Sequence, residues 1–220
     1  LIPYKDDNPT RRPPVVTLAI IALNVLVFIM ELAGNMQAMA FNYGAIPRAM
    51  LTLQSNQPIS PVLTVFTAMF LHGGFLHIGG NMLYFWIFGN NIEDKLGHGR
   101  FLVFYLLSGV VAAYCNALVD PTSTVPMIGA SGAIAGILGA YILLFPRAQV
   151  YTVIILIFFI QIVRLPSLIV IGFWIIIQVI NGLMASGVTG QHAGVAWFAH
   201  IGGFLFGLGM IKVFLKTRRR

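Results

Sequence analysis

Apolar residues run through this chain in long blocks, divided by short stretches that carry the prolines, the charges and many of the glycines. Val15–Ala33 forms a first block, entered through Arg11, Arg12 and the helix-start signal Pro13-Pro14. Gly34–Pro61 is a long mixed loop with Pro47, Pro58 and Pro61, and the next apolar block, about Thr64 to Gly89, holds two histidines and a Gly73-Gly74 break. A charged turn, Glu93–Arg100, leads to Phe101–Val119. The polar loop Asp120–Pro126 leads to Ile128–Phe145, which Pro146 stops. Val150–Val163 and Leu168–Ala185 follow, parted by Arg164 and Pro166, and Phe198–Leu215 runs into the basic tail 216–220. Blocks of about 18 residues or more match a hydrocarbon core roughly 30 Å thick. Val150–Val163 would reach only about 21 Å as a helix, so it reads as an interfacial or re-entrant segment.

Charge decides the span count. With six spans and both ends in the cytoplasm, 12 of the 13 Lys and Arg residues fall inside, and only Arg48 falls outside. A seventh span would break that asymmetry. The pattern therefore predicts an all-α, polytopic membrane protein: a six-transmembrane-helix bundle with a long first external loop and a partly embedded segment between helices 4 and 5. Residues 1–14 read as a cytoplasmic segment without a cleavable signal pattern, 15–215 as the membrane domain and 216–220 as a cytoplasmic tail.

Composition narrows the function. The chain is 58% hydrophobic and 9% charged, far from the quarter or so expected of soluble domains. The single cysteine, Cys115, excludes a disulfide scaffold. The net charge of +7 sits between the blocks and at the ends, so it reads as membrane orientation and not as nucleic-acid binding. No carboxylate lies mid-span and no H-E-x-x-H occurs, which argues against an aspartyl dyad, a zinc protease and an ion-coupled transporter.

Four polar residues remain at one depth on the external side. His77 and Asn81 lie near the outer end of the second span, Ser131 at that of the fourth and His200 at that of the sixth. Neutral imidazole can take a serine proton near pH 7. A helix N-terminus offers free N–H groups where an oxyanion would develop, and His77 and Asn81, four apart on one face, can donate to the same oxyanion. Gly129 and Gly132 flank Ser131. Gly132, Gly136 and Gly139 make a small face, as do Gly203 and Gly207 at +3 and +7 from His200, suiting close helix packing. His98 and His192 read as loop residues without a chemical role. A metal shared by His72, His77 and His200 is not expected: the first two are five apart, about 140° round a helix, and no carboxylate or thiolate joins them. Asn24, Ser108, Asn116, Gln178 and Asn181 read as helix-bridging groups.

From about Val15 to Phe214 the chain resembles the rhomboid family of intramembrane serine proteases. The resemblance rests on His72-x4-His77-x3-Asn81, Glu93-x3-Gly97-x3-Phe101, Gly129-x-Ser131-Gly132-x3-Gly136 and Ala199-His200-x-Gly202-Gly203 with Gly207. It implies Ser131 as nucleophile, His200 as general base, and His77, Asn81 and the Ser131 N–H as oxyanion hole, with His72 adding to a polar path for water. It implies no cofactor, and as partners the lipid bilayer and transmembrane protein substrates, unwound near the cut. The expected setting is a prokaryotic cell membrane, with the site open to the external face. A non-catalytic relative that escorts transmembrane segments is the alternative, and such members have typically lost the serine or histidine. Two departures stand out. The first loop has no tryptophan, and Ala135 stands where some members place an aromatic that braces the histidine.

Overall fold

The computed structural model describes residues 1–156, 159–187 and 196–215, so His192 and the basic tail lie outside it. Its helices are α1 (Val15–Ala33), α2 (Met36–Tyr43), α3 (Pro47–Thr52), α4 (Pro61–Thr67), α5 (Phe75–Leu96), α6 (His98–Val119), α7 (Ser131–Leu144), α8 (Ser167–Gly187) and α9 (Trp197–Phe214). Among the described residues four helices are long and apolar enough to cross a membrane: α1, α6, α8 and α9.

The second block is not one helix. α4 and the 3-10 turn Ala68–Phe70 meet α5 at 84°. The Gly73-Gly74 pair, poor in helix propensity, marks the break, and α5 starts immediately after it. Counted as one bent span, this pair makes a fifth crossing. α7, at 14 residues, is shorter than the Ile128–Phe145 block, because Ser131 begins the helix. It forms the centre of the bundle, with every residue from Gly132 to Tyr141 buried.

Val150–Val163 departs from the all-α expectation. Its described residues lie in two strands, β2 (Gln149–Leu156) and β3 (Phe159–Pro166), which pair antiparallel with Tyr151 opposite Arg164 and Ile155 opposite Ile160. β1 (Ile2–Asp6) adds to β2 in the order β1-β2-β3. The reason lies in side-chain shape: Val, Ile, Thr and Tyr dominate the segment, and β-branched and aromatic residues fit a pleated sheet better than a helix. The sheet is tied to the far end of α7, where the Asp6 carboxylate accepts from Tyr141 Oη at 2.6 Å and Asn91 Nδ2 at 3.0 Å. Burial raises the Asp6 carboxyl above its ordinary range, against the lowering effect of the Tyr141 bond.

The first loop is ordered by its own polar groups. Asn35 caps α2 by accepting from the Ala38 N–H, and the Gln57 amide donates to the Phe41 and Gly44 carbonyls at 2.8 and 2.9 Å. Ala45 and Met127 exchange both backbone hydrogen bonds, at 3.0 and 2.8 Å, fixing this loop to the segment that leads to Ser131.

Glu93 joins the opposite end of the bundle. Its buried carboxylate accepts from the Val16 and Thr17 N–H groups at 2.8 Å, from Thr17 Oγ1 at 2.6 Å, and contacts His98 Nδ1 at 2.6 Å. It thereby satisfies the unpaired donors of the first turn of α1, where negative charge is favoured. His98 thus has a structural partner. Glu93→Ala leaves at least two buried donors without acceptors, each costing about 1–3 kcal/mol. We expect this variant to melt well below wild type in detergent, whereas Lys95→Ala should be nearly neutral.

Candidate active site

Ser131 is the first residue of α7 and His200 sits in the first turn of α9. His200 Nε2 lies 2.8 Å from Ser131 Oγ. The close approach comes from glycine faces. A Cβ on Gly203 would collide with the Gly132 carbonyl oxygen, one on Gly207 with the Gly136 carbonyl oxygen, and one on Gly139 with that of Phe204. Backbone therefore touches backbone along the α7–α9 seam, and the two side chains at its top meet. Gly136 also leaves no room for a Cβ beside Ser108 on α6.

Three further residues gather around Gly129, two positions before Ser131. Gly129 has φ +118°, and a Cβ there would stand 2.6 Å from His77 Nε2 and 3.5 Å from Asn81 Nδ2. Glycine is required on both counts. The hydrogen bonds settle the proton positions. Gly73 N–H donates to His77 Nδ1 at 3.2 Å, so the proton of a neutral ring is on Nε2, the atom facing Gly129. Asn81 Nδ2 donates to His72 Nε2 at 3.0 Å, which leaves His72 Nδ1 to donate to the Phe70 carbonyl at 3.3 Å. His72 does not lie on α5 but in the break before it, so helical angles do not separate it from His77. The two rings sit edge to face with centroids 5.0 Å apart.

Two groups that matter here escaped the sequence reading as parts of the site. Glu31, buried near the end of α1, accepts from the His72 N–H through both carboxylate oxygens, at 3.2 and 3.0 Å. Gln178 on α8, read from sequence only as a helix bridge, presents Oε1 at 2.8 Å from His200 Nδ1. The Trp174 and Trp197 rings lie 5.6 and 6.2 Å from the His200 ring. The i, i+4 spacing of Trp174 and Gln178 was the available signal, since it puts both on one helix face. A small cavity beside Ser131 is lined by Met69, Ala112, Met127, Ile128, Gly132 and Ala199.

The Rhomboid domain family model matches residues 60–217, more than half of the chain. The chain belongs to the rhomboid family. It is 27% identical over 170 residues to rhomboid protein 1, mitochondrial, of Saccharomyces cerevisiae, covering 74% of this chain and 46% of the relative. It is 28% identical over 196 residues to the human presenilin-associated rhomboid-like protein, mitochondrial, covering 86% and 45%. A shorter match, 40% identical over 74 residues, links it to rhomboid protease GluP of Bacillus subtilis, covering 34% of this chain and 14% of that protein. The chain thus spans less than half the length of these curated relatives. The family includes serine proteases, and its multi-pass membrane character agrees with the helices described above. The expected prokaryotic cell membrane is overturned, because the rhomboid relatives matched over most of the chain are mitochondrial proteins. Basic-residue asymmetry distinguishes two sides of a membrane but not one membrane from another, which is why the sequence misled here.

Proposed function

We propose that this rhomboid is a serine endopeptidase that hydrolyses peptide bonds in or near transmembrane segments of other membrane proteins. The observation that carries the reading is the 2.8 Å contact between His200 Nε2 and Ser131 Oγ at the N-terminus of α7. Six spans, α1, α5, α6, α7, α8 and α9, fit the charge asymmetry and put both chain ends on the side opposite Ser131. α7 is about 21 Å long, short of a hydrocarbon core of about 30 Å, so Ser131 lies several ångströms beneath the surface.

In this mechanism Ser131 Oγ attacks the scissile carbonyl carbon while its proton moves to His200 Nε2. The carbonyl oxygen gains the negative charge and accepts from His77 Nε2–H, Asn81 Nδ2–H and the Ser131 backbone N–H. The tetrahedral intermediate collapses, the C–N bond breaks, and the leaving amine takes the proton from His200. Water then attacks the acyl-enzyme with His200 again as base, releasing the new carboxyl end and restoring Ser131. Gly129 matters because any side chain there would occupy the space between the donors and the oxyanion.

The test is labelling by a fluorophosphonate probe in detergent. Wild type is expected to label and Ser131→Ala not to; folded wild type that neither labels nor cleaves a transmembrane substrate would overturn the reading. Asn81→Ala should retain residual cleavage at about 10²–10³-fold lower kcat, the usual cost of one lost oxyanion donor.

A further inference from the structure

His200 has no carboxylate partner among the described residues, and the aromatic brace expected at position 135 is a buried alanine. Something else must hold the ring, since an imidazole acts as base only when its bare nitrogen faces the hydroxyl. Gln178 is 6% exposed, and its carbonyl oxygen is 2.8 Å from His200 Nδ1. Its amide nitrogen donates to the Trp174 carbonyl at 3.1 Å, one turn earlier on α8. That second bond fixes which end of the amide is which. A backbone carbonyl only accepts, so Nε2 of Gln178 must face Trp174 and Oε1 must face His200. The oxygen in turn only accepts, so Nδ1 of His200 must carry the proton and Nε2 must be bare.

We propose that Gln178 is a positioning residue that sets the tautomer and tilt of His200 through this chain of bonds, with the Trp174 ring packed beside the imidazole. The inference rests on the proposed serine mechanism. When Nε2 takes the Ser131 proton, Nδ1 keeps its own and continues to donate to Gln178, so no proton leaves the pair. A helix backbone carbonyl thereby dictates, through one amide, which imidazole nitrogen is basic.

The experiment compares Gln178→Leu with Gln178→Glu in full-chain protein, reading cleavage kinetics, detergent melting and the nitrogen-15 spectrum of His200, assigned by its loss in His200→Ala. Leucine fills the space without an acceptor, so kcat should fall about a hundredfold or more, the scale of a misplaced or wrongly protonated base, with KM little changed. Glutamate keeps an acceptor and should recover kcat to within about tenfold of wild type. The spectrum should show the proton on Nδ1 in wild type and a mixture of tautomers in Gln178→Leu. If Gln178→Leu retains wild-type kcat, or if its His200 keeps the proton on Nδ1, the residue only bridges α8 and α9 and the assignment fails. If wild type shows no serine-dependent cleavage, the enzymatic reading fails instead. The tautomer measurement still decides the assignment in that event, and in the event that Gln178→Leu melts early.

Discussion

Ser131→Ala and His200→Ala are each expected to lower kcat by roughly a millionfold for a reconstituted transmembrane substrate, and the double variant should be no worse than either alone. The non-additivity follows from shared work: the hydroxyl is a poor nucleophile without the imidazole, and the imidazole has nothing to activate without the hydroxyl. Ser131→Ala should melt close to wild type, because position 131 contributes one hydroxyl at a helix start and no packing seam. Activities of single and double variants, measured after removal of contaminating proteases, check this. Additive losses, or cleavage by Ser131→Ala at the wild-type rate, would exclude the pair as the catalytic unit.

Valine at Gly136, Gly203 or Gly207 should also lower activity strongly, though less than loss of the pair, and for a different reason. The Cβ at 203 or 207 meets the carbonyl oxygen of Gly132 or Gly136, and a backbone oxygen cannot swing aside as a flexible side-chain end does. The seam must open, and a shift of about 1 Å between Ser131 and His200 is enough to cost about a hundredfold in rate. Close packing is also what holds membrane helices together, so these variants should melt early. Gly209 has nothing within 4 Å of its Cβ direction, and Gly209→Val should be mild in both respects. Unchanged activity in the 136, 203 and 207 variants would mean that the seam does not set the geometry of the pair.

Much of this could be read from the chain. The α1 block matched to the residue, and α6, α8 and α9 to within a few, because length and apolarity alone specify a spanning helix. Ser131, His200, His77 and Asn81 stood out because polar groups among so many apolar ones need a reason. What failed was shape. Apolarity could not tell strand from helix in Val150–Val163; its β-branched side chains could have. One amide in a span ordinarily bridges helices, so Gln178 reads as structural until its 2.8 Å contact with His200 is seen beside the shared face with Trp174. The helical angle between His72 and His77 does not apply, because the Gly73-Gly74 break places His72 before α5. Glu31 lies near a helix end, where carboxylates are ordinarily solvated, and nothing in the sequence marks it as buried.

The pairing of β1 with β2 bears on the order in which the molecule is made. Ile2 finds its partner at Val153, so this sheet waits for about 150 further residues to be made. At about 5–20 residues per second the delay is on the order of 8–30 s. During that time residues 2–6 hold an unpaired edge, while α1 and α5 already have the Glu93 contacts that join them. Strand closure is thus long-range in sequence, and it seals the far end of α7 only after the helix carrying Ser131 has been made. A lesion in the hairpin, such as Thr152→Pro, should therefore disturb this closure while leaving the Glu93 contacts between α1 and α5 in place.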